Sequence, residues 1–142
     1  METILTTIGH LALAGLLGAM VFFPSVVAPT VFRTLPEDHA GRFLRGLFPG
    51  YYAFLIAAST IGAAALWQQT WISAGLAAVA VSTLAVRQVL MPRINGWRDA
   101  HLAGDEAAGR AFALGHRASV LINVAQLVFV AAAAVDRFSL SV

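Results

Sequence analysis

The sequence lacks cysteine and lysine, and it has few charged residues of either sign. The absence of Cys excludes disulfides, thiolate metal sites and cysteine nucleophiles. Charged residues make up 11% of the 142 residues whereas 59% are hydrophobic, which leaves too little polar surface to coat a water-soluble globule. We therefore expect a lipid bilayer to be the solvent of a single transmembrane domain, residues 1–142.

Long stretches without charge predict the membrane spans. Residues 3–32, 46–86 and 118–135 contain no Asp, Glu or Arg, and about 20 residues of helix cross the ~30 Å hydrocarbon core. The middle stretch is long enough for two spans, and Trp67 and Trp71 bracket a polar turn at its centre. The predicted fold is all-α, an antiparallel bundle of four transmembrane helices with spans at about 4–31, 47–67, 71–90 and 116–135.

The distribution of arginine predicts the orientation of the bundle. Eight of the nine basic residues, all Arg, lie in the first and third connections, at residues 33–45 and 87–117, and Arg137 lies near the C-terminus. This pattern is typical of membrane topology signals and predicts no nucleic-acid partner. The positive-inside rule places the two connections in the cytoplasm, so we expect a multi-pass cell-membrane protein with both termini outside the cytoplasm. The first segment has no basic start and is expected to be a retained helix.

Local signals predict where the helices begin and bend. Residues 34–37 have the spacing of a capping box, which favours a helix that runs from Pro36 through a bend at Pro49 into the second span. Met91 and Pro92 predict a kink at the end of the third span, and Asp105 is expected to be the N-cap of the last helix.

Small residues four apart predict close helix packing, because lipid provides no hydrophobic force between helices. We expect these pairs to pack the monomer, and the alternative is that one pair forms the face of a homo-oligomer. The pairs are Ala14 with Gly18, Gly15 with Ala19, Ala58 with Gly62, and Ala74 with Ala78.

Polar side chains inside the spans are candidate functional residues, because they are costly in hydrocarbon. His10 and Gln126 are predicted to lie at a similar depth, and the simplest hypothesis is a hydrogen bond from His10 to a neighbour such as Gln126. The alternative is that His10 binds a ligand or handles protons.

A second group of polar residues is predicted on the cytoplasmic side. Folding the last two helices about a turn near Ala103 brings together Arg87, His116, Ser119 and Asn123. These residues either cross-link the helices or form a binding site for an anionic or lipid head group or for a partner protein. The full set of candidate ligand-binding residues is Arg33, Tyr51, Arg87, His116, Ser119 and Asn123.

Catalytic and cofactor sites find little support in the sequence. There is no phosphate loop, no HExxH and no GxSxG motif, and the acidic residues lie outside the spans. His10 and His116 are predicted at opposite membrane faces, roughly 20 Å apart, too far to share one haem iron. We therefore predict no catalytic residue, no metal and no cofactor. The alternatives are a haem- or cofactor-binding redox protein that uses His10 and, ranked lower, a small-solute or metal transporter.

Four motifs in chain order resemble the transmembrane protein 205-like family. They are VFRTLP at 31–36, LFPGYY at 47–52, LMPR at 90–93, and the Phe-His-Ser-Asn pattern at 112–123, and His10 matches a histidine early in the family's first helix. The resemblance implies a four-helix membrane fold of uncharacterised activity. The chain departs from the family pattern in having Arg after the helix-four histidine and in its shorter third connection.

Overall fold

A computed structural model describes residues 2–139, and these residues form four long helices without a strand. Each helix is long and apolar enough to cross a membrane, so the predicted all-α four-helix membrane bundle is confirmed. Helices of 29 to 34 residues are about 44 to 51 Å long, so they extend beyond the ~30 Å of hydrocarbon. The helices are α1 (Glu2–Thr34), α2 (Glu37–Ala65), α3 (Thr70–Leu102) and α4 (Glu106–Ser139).

The short connections between the helices test the helix boundaries that the sequence predicts. The predicted capping box is wrong, because the Thr34 hydroxyl donates instead to the Thr30 carbonyl at 2.7 Å. The N-cap residue of α2 is Pro36, and no side chain caps this helix. The predicted N-cap is confirmed, since the Asp105 carboxylate accepts from the Ala108 N–H at 3.0 Å. Gly104 makes the turn before it with a φ of 103°, a conformation that glycine adopts without strain.

Two prolines within the helices, Pro29 and Pro92, follow π turns, and Pro24 lies inside the first of these turns. One π turn spans Phe23–Val27 in α1 and another spans Val86–Leu90 in α3, and each lies just before a proline, Pro29 or Pro92. Proline lacks an N–H and its ring clashes with the carbonyl four residues back, and the wider π turn relieves that clash. The kink predicted at Met91 and Pro92 thus falls directly after a π turn. The predicted helix that continues through Pro49 into the second span is confirmed, because α2 is a single helix from Glu37 to Ala65.

The core lies along the seams between neighbouring helices. Helix α2 packs against α1 and α3, and α4 packs against α1 and against the charged end of α3. Glycines permit the close approaches, because Gly75 faces the Phe129 ring and Gly62 faces Leu76 and Ala12. Of the predicted small-residue pairs, Ala58 and Gly62 pack inside the monomer, whereas Ala14 and Gly18 are exposed. The fully buried side chains include Leu13, Leu16, Met20, Leu55, Ile72, Leu76 and Val130.

The antiparallel arrangement brings the first and third connections to the same end of the bundle. This end, named here the arginine-rich end, comprises residues 33–52 and 87–123, and it contains eight of the nine arginines. The connection between α2 and α3, with Trp67 and Trp71, lies at the other end. Both tryptophans are more than half exposed, as side chains at a membrane interface are.

Candidate functional site

A cavity of about 320 Å³ opens at the arginine-rich end between the four helices. Its lining follows helical spacing on three helices, so that one face of each turns toward it. On α3 the spacing runs through Met91, Ile94, Asn95 and Arg98. On α4 it runs from Phe112 through His116, Ser119, Val120, Asn123 and Val124 to Leu127, and on α2 it runs through Gly41, Leu44, Arg45, Phe48, Tyr51 and Tyr52.

The inner part of the cavity is apolar and aromatic. The Phe23 ring lies 4.8 Å from the Tyr51 ring and 5.2 Å from the Phe48 ring, measured between centroids. Phe48 in turn stacks on Tyr52 at 5.4 Å. Met20 closes the deep end from α1. An aromatic and aliphatic wall of this kind accepts a hydrocarbon chain and offers few hydrogen-bonding groups to a polar solute.

The outer rim of the cavity has two arginines, and one of them is already paired. Arg45 on α2 donates to both carboxylate oxygens of Asp99 on α3, at 2.7 and 3.2 Å. This hydrogen-bonded pair lies in the charged extensions beyond the apolar spans, and the Arg45 guanidinium lowers the pKa of Asp99 below its usual value. Arg45 is thereby held across the α2–α3 seam.

The second rim arginine, Arg98, has no comparable partner. Among residues 2–139 its guanidinium makes no hydrogen bond and no ion pair, although it is only partly exposed and feels the charge of the adjacent Asp99. The guanidinium lies against Gly41 of α2, where a side chain would collide with it. A guanidinium without an ion pair keeps its N–H donors available at the cavity mouth, where an anion could accept from them.

The cavity also opens sideways, between α1 and α4. From Phe23 to Thr34, α1 packs mainly against α2, so a gap separates it from α4 at this end. Apolar side chains that line the cavity at this gap are widely exposed: Phe32 on α1 is 62% exposed, and Val120 and Val124 on α4 are 46% and 50% exposed. The cavity is therefore continuous with the lipid-facing surface of the bundle.

Four of the six residues predicted as ligand-binding line this cavity. Tyr51 on α2 and Asn123 on α4 both line it. His116 is exposed at the rim and stacks on Phe112 with 6.1 Å between ring centroids. Ser119 also lines it, but its hydroxyl donates to the His116 carbonyl at 2.7 Å, which leaves it only as an acceptor.

The other two predicted residues lie elsewhere. Arg87 lines a smaller cavity of about 200 Å³ between α2 and α3. The two cavities share Arg45, Phe48, Tyr52, Met91 and Asn95. Arg33 is exposed near the end of α1, where its Nε donates to the Pro29 carbonyl at 3.3 Å. The predicted layer thus divides between two cavities.

The two polar residues predicted deep in the spans do not meet. Gln126 is buried and its amide donates across the α3–α4 seam to the hydroxyls of Ser82 at 2.8 Å and Thr83 at 3.1 Å. The predicted hydrogen bond between His10 and Gln126 is therefore wrong, because the Gln126 amide is bonded to the hydroxyls of Ser82 and Thr83 on α3 instead. His10 instead contacts the Phe138 ring edge to face, with 5.6 Å between centroids. Within the described part of the chain, no three His, Asp or Glu side chains cluster as metal ligands.

Sequence reasoning missed Arg45 and Arg98 as site residues. A signal for Arg98 existed in the spacing of Met91, Asn95 and Arg98, which places the three on one helix face. The glycine that faces it, Gly41, lies 57 positions earlier, and a single sequence gives no means of pairing them.

The fold and the polar-rimmed cavity define a multi-pass helical membrane protein. The chain belongs to a family described as a domain of unknown function, DUF4149, whose model matches residues 11–102. The matched segment contains Arg45 and Arg98 but ends before α4. No curated protein and no solved structure matches the chain. The resemblance to the transmembrane protein 205-like family stays a prediction.

Proposed function

We propose that this protein is a non-enzymatic membrane protein that binds an anionic lipid in the large cavity at its arginine-rich end. The observation that carries the proposal is the partly buried Arg98 guanidinium, which has no hydrogen bond or ion pair among residues 2–139 and lies at the mouth of an apolar cavity. An anionic head group would pair with Arg98, and its hydrocarbon would fill the aromatic wall formed by Phe23, Phe48 and Tyr51.

The rest of the rim fits the same kind of ligand. Asn95 and Asn123 offer amide donors, and His116 offers a ring nitrogen at the exposed edge. Arg45 is available as a second cation if an anion competes with Asp99, since their pair is exposed to solvent. No acidic residue of the described chain lines the cavity itself, and Asp99, the carboxylate nearest its rim, is paired with Arg45.

The proposal includes the orientation of the bundle. We place the arginine-rich end in the cytoplasm, because the positive-inside rule is counted over short loops such as these and both connections fit it. The cytoplasmic leaflet is also the leaflet in which anionic lipids create a negative surface potential. Two reporters fused to the C-terminus test this orientation, one that works only outside the cytoplasm and one that works only inside it. The first should be active and the second inactive, and the reverse result would contradict the orientation.

A thermal unfolding experiment tests the binding proposal. Purified protein in a neutral detergent should be stabilised by phosphatidate or phosphatidylglycerol and much less by phosphatidylcholine of the same chains. Arg98→Gln should remove most of that difference, whereas Arg110→Gln, an equal loss of charge on the exposed face of α4, should keep it. An equal response to all three lipids, or no effect of Arg98→Gln, would show that the cavity is not an anion site.

A cofactor role for His10 is the second candidate, and one observation favours it. The Nε2 atom of His10 is buried and has no hydrogen-bond partner among the described residues. A free imidazole nitrogen in an apolar setting is a suitable axial ligand for haem iron. The test is the absorption spectrum of the purified protein, because a Soret band lost in His10→Ala would establish this rival and a colourless preparation without iron would remove it.

A further inference from the structure

We infer that the ligand of the large cavity is a single-chain anionic amphiphile, with one acyl chain inside the protein and its carboxylate or phosphate at Arg98. We infer further that it enters from the adjacent leaflet through the gap between α1 and α4. This inference rests on the proposed anion-binding function and specifies the class of lipid and its route.

The volume of the cavity limits the number of chains that the protein can enclose. An apolar cavity of about 150 Å³ holds one benzene molecule, or six carbons. By that measure the 320 Å³ here holds roughly twelve to thirteen carbons, which is most of one acyl chain and far less than two. The value is also at the low end of the ~300–1,000 Å³ range of small-molecule pockets.

The shape of the cavity points the same way. Its lining on α4 extends from Phe112 to Leu127, a distance of roughly 22 Å along the helix. The polar groups Arg98, Asn95 and His116 lie at the outer part, and Met20 and Leu127 lie at the inner part. A long site that is polar at one end and apolar along its length matches one chain with one charged head.

The exposed apolar gap supplies the route. Val120 and Val124 lie on successive turns of one face of α4. Phe32 on α1 lines the same cavity on the other side of the gap. Each is about half exposed or more on a surface that faces lipid, so a chain can slide in sideways while its head stays near the rim. The cavity therefore has the same polarity gradient as the leaflet beside it, with the cation at the membrane interface and the apolar lining at the depth of the acyl chains.

Binding of four probes tests the class of ligand. Lysophosphatidate and palmitate should bind the detergent-solubilised protein at least tenfold more tightly than diacyl phosphatidate, and lysophosphatidylcholine should bind more weakly than either. Arg98→Gln should weaken both single-chain anions by roughly 10- to 100-fold, the loss expected for charge-assisted hydrogen bonds of about 1.5–3 kcal/mol. Tighter binding of diacyl phosphatidate that also depends on Arg98 would overturn this inference and leave the proposed function in place. Binding of no anionic probe would overturn both.

A tryptophan placed in the gap tests the route and the chain site together. Val124→Trp adds bulk to the cavity lining and should weaken palmitate binding at least tenfold, whereas Val128→Trp, one turn further along α4 and 64% exposed to lipid, should leave it unchanged. Both variants carry the same substitution on the same exposed face, so an unfolding curve shared by the two excludes loss of fold as the cause. Equal palmitate affinity in Val124→Trp and the parent protein would contradict the inference. A shorter chain such as octanoate, retained by Val124→Trp while palmitate is lost, would support it further.

Discussion

Replacing Gly41 with alanine displaces the Arg98 guanidinium without changing any charge. An ideal Cβ at position 41 would overlap the Cζ and both terminal nitrogens of Arg98, so the guanidinium must move by an ångström or more. The movement costs little stability, because the displaced group is the far end of a flexible side chain. Gly41→Ala thus moves the Arg98 cation without removing it, so the effect of its position can be measured apart from the effect of its charge.

The expected effects of Gly41→Ala on stability and on anion affinity have opposite signs. Alanine in place of glycine inside α2 stabilises the helix by up to about 1 kcal/mol, so the unfolding free energy should stay level or rise slightly. The anion, by contrast, loses well-directed hydrogen bonds worth about 1.5–3 kcal/mol, and its affinity should fall by roughly 10- to 100-fold. A protein that is at least as stable but binds more weakly is the expected result.

Gly46→Ala provides the matched control, since it lies on the same helix and a Cβ there meets no atom within 4 Å. Anion affinity is measured by titration calorimetry or by a fluorescent fatty-acid probe, and stability by thermal unfolding of the same samples. Gly46→Ala should bind as tightly as the parent protein. Equal affinity in Gly41→Ala and Gly46→Ala would refute the assignment of Arg98 to the anion.

Three further substitutions test other parts of the structure. Gln126→Leu removes both hydrogen bonds across the α3–α4 seam and should lower the unfolding free energy by about 1 kcal/mol, since such bonds average ~0.6 kcal/mol each in membranes. A denaturation titration in mixed micelles measures this change, and an unchanged unfolding free energy would contradict the role of the seam. Asp99→Asn releases Arg45 and should raise anion affinity by roughly two- to tenfold without loss of stability, and weaker binding would show that the pair is part of the site. Gly104→Ala forces an L side chain to a φ of 103° and should cost about 1–2 kcal/mol, and unchanged thermal stability would mean that the turn has another conformation.

The sequence was sufficient to predict the four helices because the signals for them are strong and local. The uncharged runs and the tryptophans around the second connection set the spans, and Asp105 caps α4 through a contact three residues away. The charged end of α3 is helical as far as Leu102, in agreement with the predicted turn near Ala103, and the π turn at Val86–Leu90 precedes Pro92 in this helix.

The site was predicted only in part, for a reason that lies in its geometry. His116, Ser119 and Asn123 share one face of one helix, so their grouping followed from spacing alone. Whether Arg87 or Arg98 joins them depends on how α3 is rotated about its axis, and the π turn at Val86–Leu90 changes that rotation between the two arginines. Gln126 was assigned to the wrong partner for a similar reason, since a depth along the bundle does not say which neighbour a side chain faces.

The most direct test of the anion site is the lipid that remains with the protein during purification. Native mass spectrometry of the parent protein, released from gentle detergent, should show one bound anionic lipid per chain. The same measurement on Arg98→Gln should show that lipid lost or strongly reduced. An empty parent protein, a zwitterionic lipid in the cavity, or full retention of the anionic lipid in Arg98→Gln would contradict the proposed function.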